Sequence, residues 1–350
     1  MTSFAEIRAA FAQQAQACDA LGSPFMVRLM QVLQARLAPG TVVADRVLNW
    51  PGPVGPEAAS VPLRLAGALH ALVLSGNAPD LAAQYPPNAP TDDALWGAVQ
   101  TALETHSAFL NRWLDTAPQT NEVRRAAALV PVLHLLAAAT EHPIDLIELG
   151  CSGGLNLRCD QFRVQAGQTS YGPADSPVQL TPEWSGPCPP AVALSIASRT
   201  GVDLNPLDPA LPEDALRLRA YLWPDQPDRM ARTQAAIALA QRWPARLKRA
   251  DAIAALPGLL EPTPGRTRVV FHTVAWQYFP PEAQARGAQT LAQAGAAATS
   301  DSPLARISME WDSGRGAALV LTLWPSGKTT PLGRVDFHGQ WLEWTGPTAL

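Results

Sequence analysis

The spacing of apolar residues changes near residue 140, and this change restricts the possible folds more than any other feature of the sequence. Before it, apolar side chains recur every three or four residues, as at Phe4, Ile7 and Phe11, which indicates amphipathic helices. After it come short runs rich in β-branched residues, beginning with DLIELG at 145–150, and helix-like segments separate the first several of them. Strands that alternate with helices are typical of a mostly parallel sheet covered by helices on both faces.

We therefore predict an α/β protein with two domains. The chain has 350 residues, which is more than a single domain usually contains. An all-helical N-terminal cap domain is expected at residues 1–140, and an α/β domain is expected at residues 141–350. The last two apolar runs lie close together in the chain and predict an antiparallel hairpin at the edge of the sheet.

The composition argues against several classes of function. Hydrophobic residues make up 47% of the chain, but no stretch approaches the ~20 uninterrupted apolar residues of a membrane span. The first residues lack the basic segment and apolar core of a secretion signal, so we expect a cytoplasmic protein with no membrane contact. A net charge of −4 and a single compact basic run at 246–249 argue against a nucleic-acid partner. The 4 cysteines form no C-x-x-C pair, so no metal site is expected.

The segment ELGCSGG at residues 148–154 is the strongest candidate for a functional site. Its GCSGG part fits the G-x-S-x-G turn that presents a nucleophilic serine, and Asp312 and His338 follow in the order that a serine hydrolase requires. In that fold several strands precede the serine, whereas this segment follows the first predicted strand. The mismatch favours a cofactor-binding loop, and Ser152 as a nucleophile stays the alternative.

A cofactor-binding loop agrees with the chemistry of these residues. Small residues let the backbone approach a ligand, and a following helix would present free N–H groups. In open parallel sheets, ligands bind beyond the carboxyl ends of the strands where the strand order reverses, and the first strand normally lies there. A dinucleotide site would need G-x-G-x-x-G and an acidic residue about 20 positions later, and the sequence matches neither cleanly.

The same segment resembles the E-x-G-x-G-x-G motif of class I S-adenosylmethionine-dependent methyltransferases, with Ser152 in place of the middle glycine. The resemblance implies a Rossmann-like sheet and S-adenosylmethionine as the cofactor. It also implies that Asp203 accepts hydrogen bonds from both ribose hydroxyls, which a carboxylate can do. Asp251 would lie near the adenine amino group, and the strand at 269–273 would end towards the methyl group. Because Asp203 follows the glycines at an unusually long distance, we expect an insertion with its own hairpin at about residues 162–190.

A wider resemblance covers nearly the whole chain. It is carried by TNE at 120–122 with Arg125, IELGCSGGLNLRCDQF at 147–162, RTGVDLNPLD at 199–208, and WPDQ at 223–226 with Arg229. Together these segments resemble a bacterial domain-of-unknown-function family, numbered 2332, whose core is methyltransferase-like. Members of that family usually have alanine or a similar small residue at the position of Cys151 or Gly153, a mild departure that is compatible with the loop geometry. The resemblance implies a fold and a cofactor, and it brings no substrate with it.

The candidate site residues follow from these patterns and resemblances. The residues expected to bind the cofactor are Glu148, Gly150, Ser152, Gly153, Gly154, Asn156, Asp203 and Asp251. His272, at the end of a predicted buried strand, is the candidate general base for an acceptor hydroxyl or amine, because histidine titrates near neutrality. The residues expected to bind the acceptor are Asn121, Glu122, Arg125, Asp160 and Tyr278.

Each assignment has a structural alternative that the sequence leaves open. The glycines also suit an ordinary strand-to-helix turn, Asp251 suits a helix cap, and His272 suits a buried position with satisfied hydrogen bonds. Three functions remain: methyl transfer to an unidentified small molecule, serine hydrolysis at Ser152, and binding of S-adenosylmethionine without catalysis. Methyl transfer requires no metal, and the protein would align the reactants, exclude water and remove a proton. The acceptor, the oligomeric state and catalytic activity itself stay open.

Overall fold

The computed structural model describes residues 3–350, which form two compact units. The helical unit consists of the chain up to Thr120 together with Pro212–Ala231, and the α/β unit consists of Asn121–Leu211 and Arg232–Leu350. The helix at Ala126–Thr140, which the sequence assigns to the N-terminal domain, belongs to the α/β unit. Residues 212–231, which the sequence assigns to the α/β domain, belong to the helical unit.

Several helices begin where the sequence provides a cap. Ser3 and Glu6 form a capping box at the first helix, and Ser23 caps the second helix, which begins with Pro24. The apolar spacing at 92–114 predicts a single helix. The backbone leaves the helical region at His106, so two helices replace it. The α-helices are α1 (Phe4–Ala20), α2 (Pro24–Arg36), α3 (Val42–Leu48), α4 (Val61–Leu74), α5 (Pro79–Ala82), α6 (Asp92–Thr105), α7 (Ser107–Leu114), α8 (Ala126–Thr140), α9 (Pro212–Ala220), α10 (Pro227–Arg242), α11 (Ala252–Leu259) and α12 (Pro281–Ala296).

Hydrogen bonds within the helical unit explain why residues 212–231 fold with the N-terminal helices. Asp225 accepts hydrogen bonds from Ser23 Oγ at 2.5 Å and from the Phe25 amide at 2.9 Å, at the amino end of α2. His70, buried in α4, donates from Nδ1 to the Ala220 carbonyl at the end of α9, at 3.0 Å. These bonds join residues 150 to 202 positions apart in the chain, so no local pattern reveals them.

Nine strands form one sheet in the order β5-β12-β11-β10-β9-β8-β1-β6-β7, and a separate sheet has the order β3-β2-β4. The strands are β1 (Ile144–Leu149), β2 (Arg163–Ala166), β3 (Thr169–Tyr171), β4 (Gln179–Leu180), β5 (Glu183–Ser185), β6 (Ile196–Asp203), β7 (Arg246–Arg249), β8 (Thr267–Thr273), β9 (Leu304–Trp311), β10 (Ala317–Trp324), β11 (Lys328–Val335) and β12 (Trp341–Trp344). The hairpin expected in the insertion is present, because β2 and β3 pair antiparallel.

The parallel part of the large sheet contains β7, β6, β1, β8 and β9. The carboxyl ends of these five strands therefore lie at one edge, which we call the C-terminal edge. Strands β9 to β12 pair antiparallel, so the predicted antiparallel pairing of the last runs is confirmed by β10 and β11. This pair does not form the edge of the sheet, because β12 and β5 lie outside it.

The central strands of the α/β unit are buried, as their continuous apolar sequences predict. All seven residues of β8 and five of the six residues of β1 are buried. One helical segment, Val123–Thr140, is long and apolar enough by composition to cross a membrane, and 67% of it is buried inside the protein. A core helix has the same composition, which explains the apolar sequence of α8.

Candidate functional site

The chain makes a tight turn at the C-terminal edge immediately after β1. Gly150, Ser152 and Gly154 all have positive φ angles, of 72°, 52° and 59°. A side chain at Gly150 would place its Cβ atom 2.8 Å from Ala275 Cβ, and a Cβ atom at Gly154 would lie 2.8 Å from Leu247 Cδ2. Glycine is therefore required at both ends of this segment for two reasons, the backbone conformation and the lack of space. We call residues 150–154 the binding turn.

The element after the binding turn is a 3-10 helix at Leu155–Gln161 and not the longer helix with free amides that a cofactor loop predicts. Its first amide, from Leu155, donates to the Asn121 side-chain oxygen at 2.8 Å, and Arg158 leaves the helical region of backbone conformation. The amide at the start of this element is therefore already bonded within the protein.

Asp203 lies at the carboxyl end of β6, beside the binding turn, as predicted. Its Oδ2 accepts a hydrogen bond from the Ser152 amide at 2.9 Å, and its Oδ1 accepts one from the Asn205 amide at 2.8 Å. Each carboxylate oxygen has a second lone pair, so both can accept a further hydrogen bond from a ligand. The next residue, Leu204, is 72% exposed, which places an apolar surface next to this carboxylate.

Three buried polar atoms at the binding turn have no hydrogen-bond partner: Glu148 Oε2, Ser152 Oγ and Asn156 Oδ1. Buried polar groups are nearly always satisfied in folded proteins, so such a concentration requires an explanation. All three atoms can accept a hydrogen bond, and the other side-chain atom of Asn156 is committed, because Nδ2 donates to the Glu122 carbonyl at 3.1 Å. The turn therefore carries three buried acceptors that no protein group satisfies.

Glu148 is only 3% exposed, and burial raises its pKa well above the usual value. The nearby positive charges of Arg158 and Arg125 oppose this shift, while the negative charge of Asp203 adds to it. Oε2 has no hydrogen-bond partner that would offset the loss of water at that atom.

Arg158 is a site residue to which the sequence analysis gave no role. Its buried guanidinium donates to the carbonyl groups of Gly154 (2.6 Å), Trp243 (2.8 Å) and Ala240 (3.4 Å), and so joins the binding turn to the carboxyl end of α10. Burial lowers its pKa to about 10, so the side chain stays charged at neutral pH. The sequence offers one clue, a single basic residue in the short segment after the glycines.

The five predicted acceptor residues lie in different surroundings. Asn121 and Glu122 bond to Leu155 and Asn156, and Arg125 donates to the carbonyl groups of Thr273 (3.0 Å) and Phe337 (2.9 Å). Asp160 forms a buried ion pair with Arg199 at 2.5 Å, and the Tyr278 side chain is 74% exposed.

Asp251 and His272 have their side chains committed to protein partners. Asp251 caps α11, because its Oδ1 accepts hydrogen bonds from the amides of Ile253 (2.9 Å) and Ala254 (2.8 Å). His272 is fully buried, its Nε2 accepts from Arg306 Nε at 3.0 Å, and its Nδ1 donates to Glu310 at 2.7 Å. Burial lowers the pKa of this histidine. A proton on Nε2 would displace Arg306, so this arrangement holds the ring neutral.

The residues of a hydrolytic triad do not contact one another. Ser152 Oγ has no hydrogen-bond partner, and Asp312 forms an ion pair with Arg334 at 2.6 Å. His338 Nδ1 lies 3.8 Å from Glu122 Oε2. Within residues 3–350, no group of three or more His, Cys, Asp or Glu side chains is arranged to hold a metal ion.

The comparison with family models identifies the chain. The model for an "uncharacterized protein conserved in bacteria (DUF2332)" matches residues 8–344, which is nearly the whole length. The chain belongs to the DUF2332 family. No curated protein matches it. The match confirms the resemblance to this family that the four sequence segments indicate.

Proposed function

We propose that this DUF2332 protein binds S-adenosylmethionine at the binding turn and transfers its methyl group to a small molecule in the cytoplasm. The observation that carries the proposal is the contact between Asp203 and Ser152, which puts a carboxylate with spare acceptor capacity at the turn after the first strand. A ribose with two adjacent hydroxyl groups needs two such acceptors.

The order of the parallel strands supports the same location. From β1 the chain continues to β6 and β7 on one side, whereas β8 and β9 lie on the other side, so the strand order reverses at β1. Ligands of doubly wound sheets bind at this reversal, beyond the carboxyl ends of the strands. We infer a Rossmann-like core of five strands, to which the antiparallel strands β10 to β12 are an addition.

The residues present fit the groups of this cofactor. The free acceptors of Glu148, Ser152 and Asn156 suit its ammonium group, which brings three N–H donors, and Asp203 suits its ribose. The exposed side chain of Leu204 suits an adjacent base. When bound, S-adenosylmethionine supplies an electrophilic methyl group on a sulfonium centre, and the task of the protein is to align the acceptor and exclude water.

We assign no proton transfer to His272, because both of its ring nitrogens are bonded to protein groups. The same observation favours the second candidate, a protein that binds S-adenosylmethionine without catalysing a transfer. Incubation with cofactor labelled in the methyl group and a small-molecule extract separates the two, since only a transferase gives a labelled product.

Calorimetric titration with S-adenosylmethionine and with its demethylated product tests the binding step. We expect a micromolar dissociation constant, and we expect Asp203→Asn to raise it roughly ten- to hundredfold, the usual effect of losing a hydrogen bond to a carboxylate. Asp145→Asn is the matched control, because Asp145 lies at the opposite end of β1, where it bonds to Ser198 at 2.5 Å. A folded wild-type protein that binds neither compound at millimolar concentration would refute the proposal.

A further inference from the structure

The carboxylate of Glu310, near the end of β9, holds the loop that follows β8. It accepts hydrogen bonds from His272 Nδ1 at 2.7 Å and from the successive backbone amides of Ala275 (3.1 Å), Trp276 (3.1 Å) and Gln277 (3.3 Å). Burial raises the pKa of Glu310, but the hydrogen bonds from His272 and the amides outweigh burial and lower the pKa below its usual value. A charged carboxylate therefore satisfies three consecutive amides of one loop.

Two further side chains complete this arrangement. Arg306 donates from Nε to His272 Nε2 at 3.0 Å, and its guanidinium lies 4.2 Å from the centre of the Trp276 ring. The ring of His272 stacks on the same tryptophan at 4.9 Å between centroids. We call Glu310, His272, Arg306 and Trp276 the clamp. Each member contacts at least two others or the loop itself, so the loop conformation is fixed by several independent bonds.

The loop has a strained backbone that such a clamp can maintain. Val274 has a φ angle of 52°, in the left-handed region that β-branched residues avoid. Its amide donates to the Met309 carbonyl at 2.8 Å, and the clamp then holds the next three residues. Strain of this kind persists only where the surrounding structure imposes it.

The clamped loop packs directly against the binding turn. Ala275 Cβ occupies the space in which a Gly150 side chain would lie, because a Cβ atom built on Gly150 falls 2.8 Å from it. Immediately before the loop, Arg125 donates to the carbonyl of Thr273, the last residue of β8, at 3.0 Å. A shift of the loop would therefore change the support of Gly150, the first residue of the turn.

We propose that Glu310 is a positioning residue for the binding turn, acting through the clamp and Ala275 on Gly150. The expected effect of Glu310 on ligand affinity rests on the proposed function, whereas its expected effect on the conformation of the binding turn does not. Glu310→Gln keeps the shape of the side chain but places an amide group among backbone N–H donors, where it cannot accept from all of them. The loop then loosens, and the turn loses its support.

Hydrogen–deuterium exchange of the ligand-free protein tests the structural part. We expect Glu310→Gln to increase exchange in two segments, the loop at 274–277 and the binding turn at 150–154. Leu332→Val, a substitution of a buried β11 residue in the same unit, is the control for general loss of stability. Faster exchange in the loop alone, or the same pattern in Leu332→Val, would overturn the inference whether or not a cofactor binds.

Calorimetric titration with S-adenosylhomocysteine tests the ligand part. We expect Glu310→Gln to weaken binding about tenfold, and Gly150→Ala to weaken it as well, with partial recovery in Gly150→Ala/Ala275→Gly, because the second change removes the opposing Cβ atom. A double variant no better than Gly150→Ala would contradict transmission through Ala275. Absence of binding in the wild-type protein would refute the proposed function and leave the exchange experiment to decide the role of Glu310.

Discussion

The backbone amide of Ser152 donates a hydrogen bond to the carboxylate of Asp203 at 2.9 Å while Ser152 holds a left-handed φ angle of 52°. Asp203 is the last residue of β6, and its carboxylate also holds the backbone of Ser152, the middle residue of the turn that follows the neighbouring strand β1. The backbone amide makes this bond whatever the side chain is. For the bond to Asp203, the position therefore needs a residue that tolerates a positive φ angle and not a serine in particular.

Replacement of Ser152 by glycine is accordingly expected to stabilise the protein. Glycine adopts the left-handed region without the steric cost of a side chain, and the substitution removes a buried hydroxyl without a partner. We expect the free energy of unfolding to rise by about 1 kcal/mol in urea denaturation. Ser308→Gly, in the interior of β9, should lower it instead. A loss of stability in Ser152→Gly would show that the hydroxyl has a partner of its own.

Arg158→Met is expected to destabilise the protein strongly. The substitution removes the hydrogen bonds of a buried guanidinium to the carbonyl groups of Gly154, Trp243 and Ala240, at a cost of about 3 kcal/mol or more. Arg266→Met is the matched control, because Arg266 is more exposed and its contact with Asp145 is long, at 3.5 Å. Equal urea midpoints for the two variants would mean that the guanidinium contacts contribute little.

Titration of His70 should make the stability of the helical unit depend on pH. Burial lowers the pKa of His70 to about 4, so between pH 6.5 and 4 the unfolded chain takes up a proton that the folded protein does not. Stability should therefore fall as pH decreases through this window, by roughly 3 kcal/mol. His70→Gln keeps a donor for the Ala220 carbonyl and should flatten the profile in thermal unfolding. An unchanged slope in that variant would assign the effect to other groups.

Binding of a cationic ligand at the turn should release a proton from Glu148. Burial raises the pKa of this carboxyl group, and a bound ammonium group would favour the carboxylate, so affinity should increase with pH. Calorimetry in buffers of different ionisation enthalpy should report a net release of protons on binding. Glu148→Gln should bind more weakly and without this release. Proton uptake, or a release that persists in Glu148→Gln, would contradict the assignment.

The apolar patterns of the sequence predicted the buried strands of the large sheet but not its edge strand β7. The continuous apolar runs at β1, β8, β9 and β10 correspond to strands at the expected places, because a strand buried on both faces needs apolar residues throughout. Strand β7 was interpreted only as a basic run, since an edge strand tolerates charged residues and lacks the usual pattern. The apolar runs VALSIA at 192–197 and GVDL at 201–204 predict two separate strands. The structure instead has the single strand β6, which begins at Ile196 and ends at Asp203.

The candidate site was predictable where it follows one strand and unpredictable where it depends on distant partners. The contact of Asp203 with the glycine-rich turn follows from the positions of both at strand ends. The roles of Arg158 and Glu310 could not be predicted from the sequence, because their partners are mostly backbone groups and residue types do not indicate where backbone groups lie. The commitments of Asp251 and His272 to protein partners likewise depend on geometry that residue types alone do not give.

The assignment of Pro212–Ala231 to the helical unit has a consequence for synthesis on the ribosome. The first 120 residues emerge early, yet two of their partners are translated about 100 residues later, after β1 and β6. These partners are the Ala220 carbonyl, which His70 binds, and the Asp225 carboxylate, which bonds to the amino end of α2. The N-terminal helices must wait for this late segment, so a truncated chain that stops at residue 120 or 140 should expose apolar surface and aggregate.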